Sequence, residues 1–172
     1  SWNEHNSELA AAASTQYQQM SDRMEHNDPQ AMEAGRARLA SNPDSIDAVM
    51  ASMSMAKLAV ADKDLDAAAA HLRSAINNSD QPELTELARL RLARVEAAQG
   101  NNDAALATLG GGEGGAASDE LRGDILLAQG NSAEARLAYT KALDGYGKAA
   151  DKRELVQMKL DDLAVAAESS AE

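Results

Sequence analysis

Apolar residues recur along this chain at three- and four-residue intervals, in blocks of about 10 to 20 residues that have the period of amphipathic helices. Polar, glycine or proline punctuation separates the blocks. It falls at Asp28-Pro29, Asn42-Pro43-Asp44, Asp62-Lys63-Asp64, Asp80-Gln81-Pro82, Gly100-Asn101-Asn102-Asp103, the Gly110 to Gly115 run and Gly130-Asn131-Ser132. Short turns between helices of this length predict antiparallel neighbours. Asp28, Asp44, Asp64, Asp103 and Ser132 are placed to offer a side-chain oxygen to the unpaired N–H groups of a helix start, and Pro29 and Pro82 suit a first helical turn.

Aligning the chain on Lys63, Gly100 and Gly130 uncovers a repeat. Seven residues before these turns stand Ala56, Ala93 and Gly123, and five after them Ala68, Ala105 and Ala135. Nine after come Leu72, Leu109 and Tyr139, and twelve after come Ala75, Gly112 and Ala142. Small residues there let paired helices approach closely, while the large one fills the space between pairs. The turns are 37 and then 30 residues apart, on either side of the ~34 of a tetratricopeptide repeat, and the usual early aromatic is missing. The fold expected is therefore all-α, a tetratricopeptide-like helical-repeat solenoid of antiparallel pairs. Its degenerate repeats would occupy about 5–43, 44–80, 82–112 and 117–147. Tyr17 and Leu39 would pack in the first. A C-terminal capping helix over 148–167, carrying Leu155, Met158, Leu160, Leu163 and Val165, would cover the last open face, with 168–172 frayed.

Composition agrees. There are 38 Ala and 19 Leu against three Ile, five Val and no Phe, a helix-forming usage that speaks against a β-sandwich or barrel. At 172 residues the chain is sized for a single domain, expected over 5–167. Its 16 basic and 28 acidic residues, net −12, argue against a nucleic-acid partner, which would need a basic face. The acidic balance also suits a salty habitat. The absence of Cys removes disulfides, thiolate nucleophiles and Cys-ligated zinc, and leaves the compartment open. No stretch approaches the ~20 apolar residues of a membrane span. Ser1-Trp2 already lies in a helical pattern, so a preceding segment is expected.

The motifs that imitate chemistry each lack a part. The Gly110 to Gly115 run has no Gly-Lys-Ser/Thr after it, and reads as an interhelix loop. Asp62-Lys63-Asp64-Leu65-Asp66 begins like a calcium loop, but Ala67 stands where the loop needs Gly and Arg73 where it needs Glu. It reads as an acidic helix start. His5, His26 and His71 have no second His three or four residues on, and read as surface or half-buried side chains. Arg122-Gly123-Asp124 spells an integrin tripeptide inside a predicted helix, with Gly123 at a close-packing position. No Ser sits in a nucleophile elbow, and no His lies in the second half to act as its base. No catalytic residue, metal or cofactor is assigned. The enzyme alternative is a hydrolase using Asp62, Asp64 and Asp66.

A helical repeat instead offers a concave face lined by the first helix of each pair. In this register it would carry Met50, Met53, Lys57 and Val60, then Leu87, Leu90, Arg91 and Arg94, then Glu120, Asp124 and Leu127. Flexible Met side chains accept varied apolar surfaces and Arg clamps carboxylates, so the face suits an extended or helical segment of a partner protein. The opposing reading is that these Met and Leu side chains are core.

With the register set, Leu90-Arg91-Leu92-Ala93-Arg94-Val95, Asp103-Ala104-Ala105-Leu106-Ala107-Thr108-Leu109, Asp119-Glu120-Leu121-Arg122-Gly123-Asp124 and Gln157-Met158-Lys159-Leu160, with Trp2-Asn3 and Tyr17-Gln18, resemble the YfgM family of ancillary subunits of the bacterial SecYEG translocon. The likeness is collinear over almost the whole chain. It implies a bacterial inner-membrane protein with one N-terminal transmembrane helix, absent from this chain, and a periplasmic tetratricopeptide-like domain, which this chain resembles. Trp2 suits the membrane–water interface beyond such a span. The implied partners are the Sec translocon channel, a PpiD-like periplasmic chaperone and exported clients. The chain departs from the family at Gly115-Ala116, where members carry a bulky residue after Gly-Glu-Gly. The alternatives are a cytosolic scaffold or co-chaperone of the same fold, and homodimerisation through the terminal helix.

Overall fold

The computed structural model describes residues 29–111 and 113–171. The expected helix over 5–26, with Trp2, Tyr17, His5 and His26, lies outside them, as do Asp28, Gly112 and the Leu39 side chain. The described residues are all-α: α1 (Pro29–Ser41), α2 (Ile46–Ala61), α3 (Leu65–Asn78), α4 (Pro82–Ala98), α5 (Asn102–Leu109), α6 (Ala116–Ala128), α7 (Ser132–Gly145) and α8 (Ala150–Ser169). They gather into two compact units, one up to Ala88 and the other from Arg89 onward, the boundary falling inside α4. The sequence reading ends the terminal helix at 167. Alanines 164, 166 and 167 carry it on to Ser169, and the Ser169 and Ser170 hydroxyls donate back to the Ala166 carbonyl at 3.0 and 2.8 Å.

The three turns used to align the repeat are built alike. Lys63, Gly100 and Gly130 all adopt positive φ, at 60°, 81° and 82°. The next residue then donates its N–H five residues back, Asp64 to Ala59, Asn101 to Glu96 and Asn131 to Leu126, at 2.8 to 2.9 Å. This left-handed cap satisfies helix-end carbonyls and reverses the chain within three residues. Glycine adopts it without a Cβ penalty and Lys63 does not.

Caps at the helix starts differ from expectation in three places. Ser45, not Asp44, caps α2, accepting from the Ala48 N–H at 3.2 Å, while its hydroxyl donates to the Asn42 carbonyl. Asp103 and Ser132 lie inside α5 and α7, because the glycine turns place Asn101 and Asn131 at the cap positions, where neither side chain makes a capping bond. The Asp103 carboxylate instead accepts from the Gln129 side chain at 2.8 Å. Asp64 caps α3 as expected, accepting from Ala67 at 3.1 Å.

In the first unit α2 packs against α1 and α3, and Val49, Met53, Ala75 and Ala88 form a core with Ile76 and Leu84. In the second, Ala93, Ala105, Leu109 and Ile125 join α4, α5 and α6, and a larger cluster around Tyr139, Ala142, Val156 and Leu163 joins α6, α7 and α8. Every described residue at the repeat's small and large offsets is buried. The tightest approach is in the repeat at 117–147. The Tyr139 ring lies against Gly123 so closely that a Cβ built there would sit 2.5 Å from Cδ1 and 2.9 Å from Cζ.

Two stability predictions follow from these contacts. Gly123→Ala should destabilise the protein by about 1–3 kcal/mol through overpacking, visible in denaturant melts, whereas Gly111→Ala, which meets nothing within 4 Å, should not. Lys63→Gly should raise stability by up to about 1 kcal/mol while Gly130→Ala lowers it by about that much, since only the second forces a Cβ into a left-handed turn.

Candidate binding surface

The second unit holds a polar cluster built by three helices. Glu120 and Asp124 stand one turn apart on α6, Tyr139 and Tyr146 come from α7 and its end, and Lys159 comes from α8. The Lys159 ammonium donates to Glu120 Oε1 at 2.8 Å and to both Asp124 oxygens at 2.9 and 3.0 Å. Tyr139 donates to Asp124 and Tyr146 to Glu120, each at 2.6 Å, and Lys159 Nζ lies 5.6 Å from the centre of the Tyr139 ring. Burial pushes the Glu120 carboxyl up, but the Lys159 and Tyr146 donors outweigh it and hold the group below the usual carboxylate range. Burial likewise works against the Lys159 charge and loses to Asp124 and Glu120, which raise its pKa. Both phenols are pushed up, first by burial and then by their carboxylate partners.

All three residues of the integrin-like tripeptide are engaged in the fold. Arg122 donates to the Gly110 carbonyl at 2.5 Å, closing the end of α5. Gly123 lies under Tyr139, and Asp124 belongs to the cluster.

The residues expected on a concave face are divided by this structure. In the first unit Met53 is 1% exposed and packs into the core, so it lines no surface. The reason is that α2 is buried on nearly every side from Ala48 to Ala56. Met50 is half-buried, and Lys57, Val60 and Leu87 are exposed. In the second unit Leu90 packs onto the α4–α6 core and Arg91 is half-buried, while Arg94 and Leu127 are exposed. Glu120 and Asp124 are occupied from within the chain by Lys159 and the two tyrosines. Sequence reasoning missed Lys159. Its signal was available: it sits among Val156, Leu160 and Leu163 on the one face of α8 that must be buried, where an ammonium needs a carboxylate.

A second feature lies in the first unit, a cleft of about 530 Å³ lined by Met55, Leu58 and Ala59 together with Arg36, Asp62 and His71. Burial lowers the His71 pKa, Arg36 lowers it further, and Asp64 opposes them in part, so the ring is neutral at neutral pH. Of the acidic trio Asp62, Asp64 and Asp66, Asp64 serves as a helix cap. Among the described residues no three His, Asp or Glu side chains are grouped to hold a metal ion.

Residues 1–165 match the family described as tetratricopeptide repeat-like domain. The ancillary SecYEG translocon subunit of Escherichia coli K12 is 33% identical over 167 residues, covering 95% of this chain and 80% of that protein. The chain belongs to this family of ancillary SecYEG translocon subunits. The Haemophilus influenzae member is 31% identical, covering 94% of this chain and 80% of its own length, and the Neisseria gonorrhoeae member is 35% identical over 129 residues, 72% of this chain and 60% of its own. No solved structure matches the chain. Within the family's repeat layout, the cluster around Lys159 marks where the last repeat meets its terminal helix.

The cluster makes a stability prediction. Lys159→Met leaves two half-buried carboxylates without their cation and should cost about 1–3 kcal/mol. The acid limb should have two parts. His71 is depressed, so its contribution is present above its unfolded value of 6.5 and is lost as pH falls through the folded one. Glu120 is also depressed, so its contribution holds above 4.5 and is lost at lower pH. Melting scanned from pH 8 to about pH 3 should show both steps. His71→Gln should remove the upper step and Lys159→Met should flatten the lower.

Proposed function

We propose that this chain is a non-enzymatic protein–protein interaction module, the periplasmic domain of an inner-membrane ancillary subunit of the Sec translocon, where it assists periplasmic chaperones of the PpiD kind and exported proteins. The observation that carries this is similarity to ancillary SecYEG translocon subunits along 95% of the chain. The helical-repeat fold supports it, since such repeats present broad faces to protein segments. Among the described residues no helix is long and apolar enough to cross a membrane, so the reading places the anchor elsewhere in the full-length protein. Arg94, exposed on α4 with Arg91 one turn before it, offers cationic contact to an acidic or carboxylate-bearing segment.

The test is to tag the full-length protein at its C-terminus in its native host, solubilise the membranes gently and identify what co-purifies. The proposal expects recovery in the membrane fraction with Sec channel subunits. Recovery in the cytosol without them overturns it in favour of a cytosolic scaffold. Arg94→Glu should reduce recovery of the partner by about fivefold or more while leaving melting unchanged. A sharp fall in melting would instead make Arg94 structural.

A further inference from the structure

The terminal helix sorts its charges to opposite sides. Arg153 donates to the Leu143 carbonyl at 2.6 Å, and Lys159 is bound by Glu120 and Asp124. At about 100° per residue, Leu155, Met158, Asp162 and Val165 instead fall within an arc of about 80°, and Glu154 and Asp161 border it. The three apolar side chains on this arc are 46%, 58% and 65% exposed. No Lys or Arg of α8 lies on it. Beside it Leu127, Lys159, Asp162, Leu163 and Ala166 line a cleft of about 180 Å³, in which the Lys159 charge is already taken up by Glu120 and Asp124. Terminal elements of helical repeats ordinarily turn a polar face outward. This one keeps a stripe at the spacing by which helices pack on helices.

We infer that the outer face of α8 docks an amphipathic, cationic helix of a partner protein, with apolar side chains against Leu155, Met158 and Val165 and Lys or Arg against Asp162 and its acidic neighbours. Charge decides the occupant. A second copy of this chain would bring acid against acid on a stripe without cations, and an anionic membrane surface would be repelled for the same reason. This inference rests on the chain being an interaction module, and is independent of which membrane complex recruits it.

Two synthetic peptides of about 18 residues, long enough to hold a helix when bound, provide the probes. Both carry Leu along one face; one carries Lys on its flanks and the other Glu. Binding is read by amide and methyl chemical-shift changes in the whole chain, with sedimentation to report oligomeric state. The expected result is that the Lys peptide binds, with shifts centred on Leu127, Leu155, Met158 and Val165, and that the Glu peptide does not. The double variant Asp161→Lys, Asp162→Lys should weaken the Lys peptide by at least about tenfold, while Glu134→Lys, Asp144→Lys, with the same change in net charge, should not. Met158→Asp should abolish binding without lowering the melting temperature, because that side chain is exposed. Equal binding of both peptides, equal loss in the two charge variants, shifts away from α8, or a dimer that Met158→Asp dissolves would each overturn the inference. Co-purification with the Sec channel that survives Met158→Asp would leave the proposed function standing and remove this surface from it.

Discussion

The last two helix pairings depend on one stacked arrangement: the Tyr139 ring pressed against Gly123, with Lys159 above it and held by Asp124 and Glu120. Removing the Cβ at 123 lets α6 and α7 approach, and that approach brings the Tyr139 hydroxyl to Asp124. The two carboxylates, each already accepting from a phenol, then create a site that only a cation can fill, and α8 supplies it. Val156 and Leu163, before and after Lys159 on α8, are buried in the cluster around Tyr139, and Leu160 is partly buried against it. Burying one charge alone would be costly; a lysine shared by two carboxylates and lying over the Tyr139 ring contributes more than a single exposed pair would.

The same arrangement settles what the inner side of the last repeat can offer. Glu120 and Asp124 are already paired inside the chain, and Met53 belongs to the core of the first unit. Among the described residues, the surfaces open to partners include the exposed Arg94, the cleft lined by Arg36 and His71, and the acidic apolar face of α8. These are surfaces of differing charge. A chain of net −12 whose terminal helix gathers Glu154, Asp161 and Asp162 on one exposed side presents an acidic face there, which favours cationic partners and helps keep copies of itself apart.

Much of this fold could be read from the sequence because its repeat is written in small residues. Ala68, Ala105 and Ala135, or Ala56, Ala93 and Gly123, occur at fixed offsets because close helix approach has one steric requirement, and the left-handed turns recur where Gly100 and Gly130 stand. The errors have physical causes as well. Asp44 and Ser45 are both good caps, and the choice between them is set by where the Asn42 carbonyl lies to receive the Ser45 hydroxyl. Met53 looked available because a 3.6-residue period shows which residues share a face but not how many faces are covered, and α2 is buried almost all round. Glu120 and Asp124 looked free because their cation lies 35 to 39 residues away on another helix. The lysine's apolar neighbours were the clue to its burial.

The central claim, that Lys159 fastens the terminal helix onto the last repeat, is tested most directly by native-state hydrogen exchange on the intact protein and on Lys159→Met. The account predicts that amides of Ala150–Ser169 exchange at least about tenfold faster in the variant, while the α6–α7 pairing beneath stays protected. Unchanged protection of that helix would contradict it, and would mean that Val156 and Leu163 hold the helix in place without the charge.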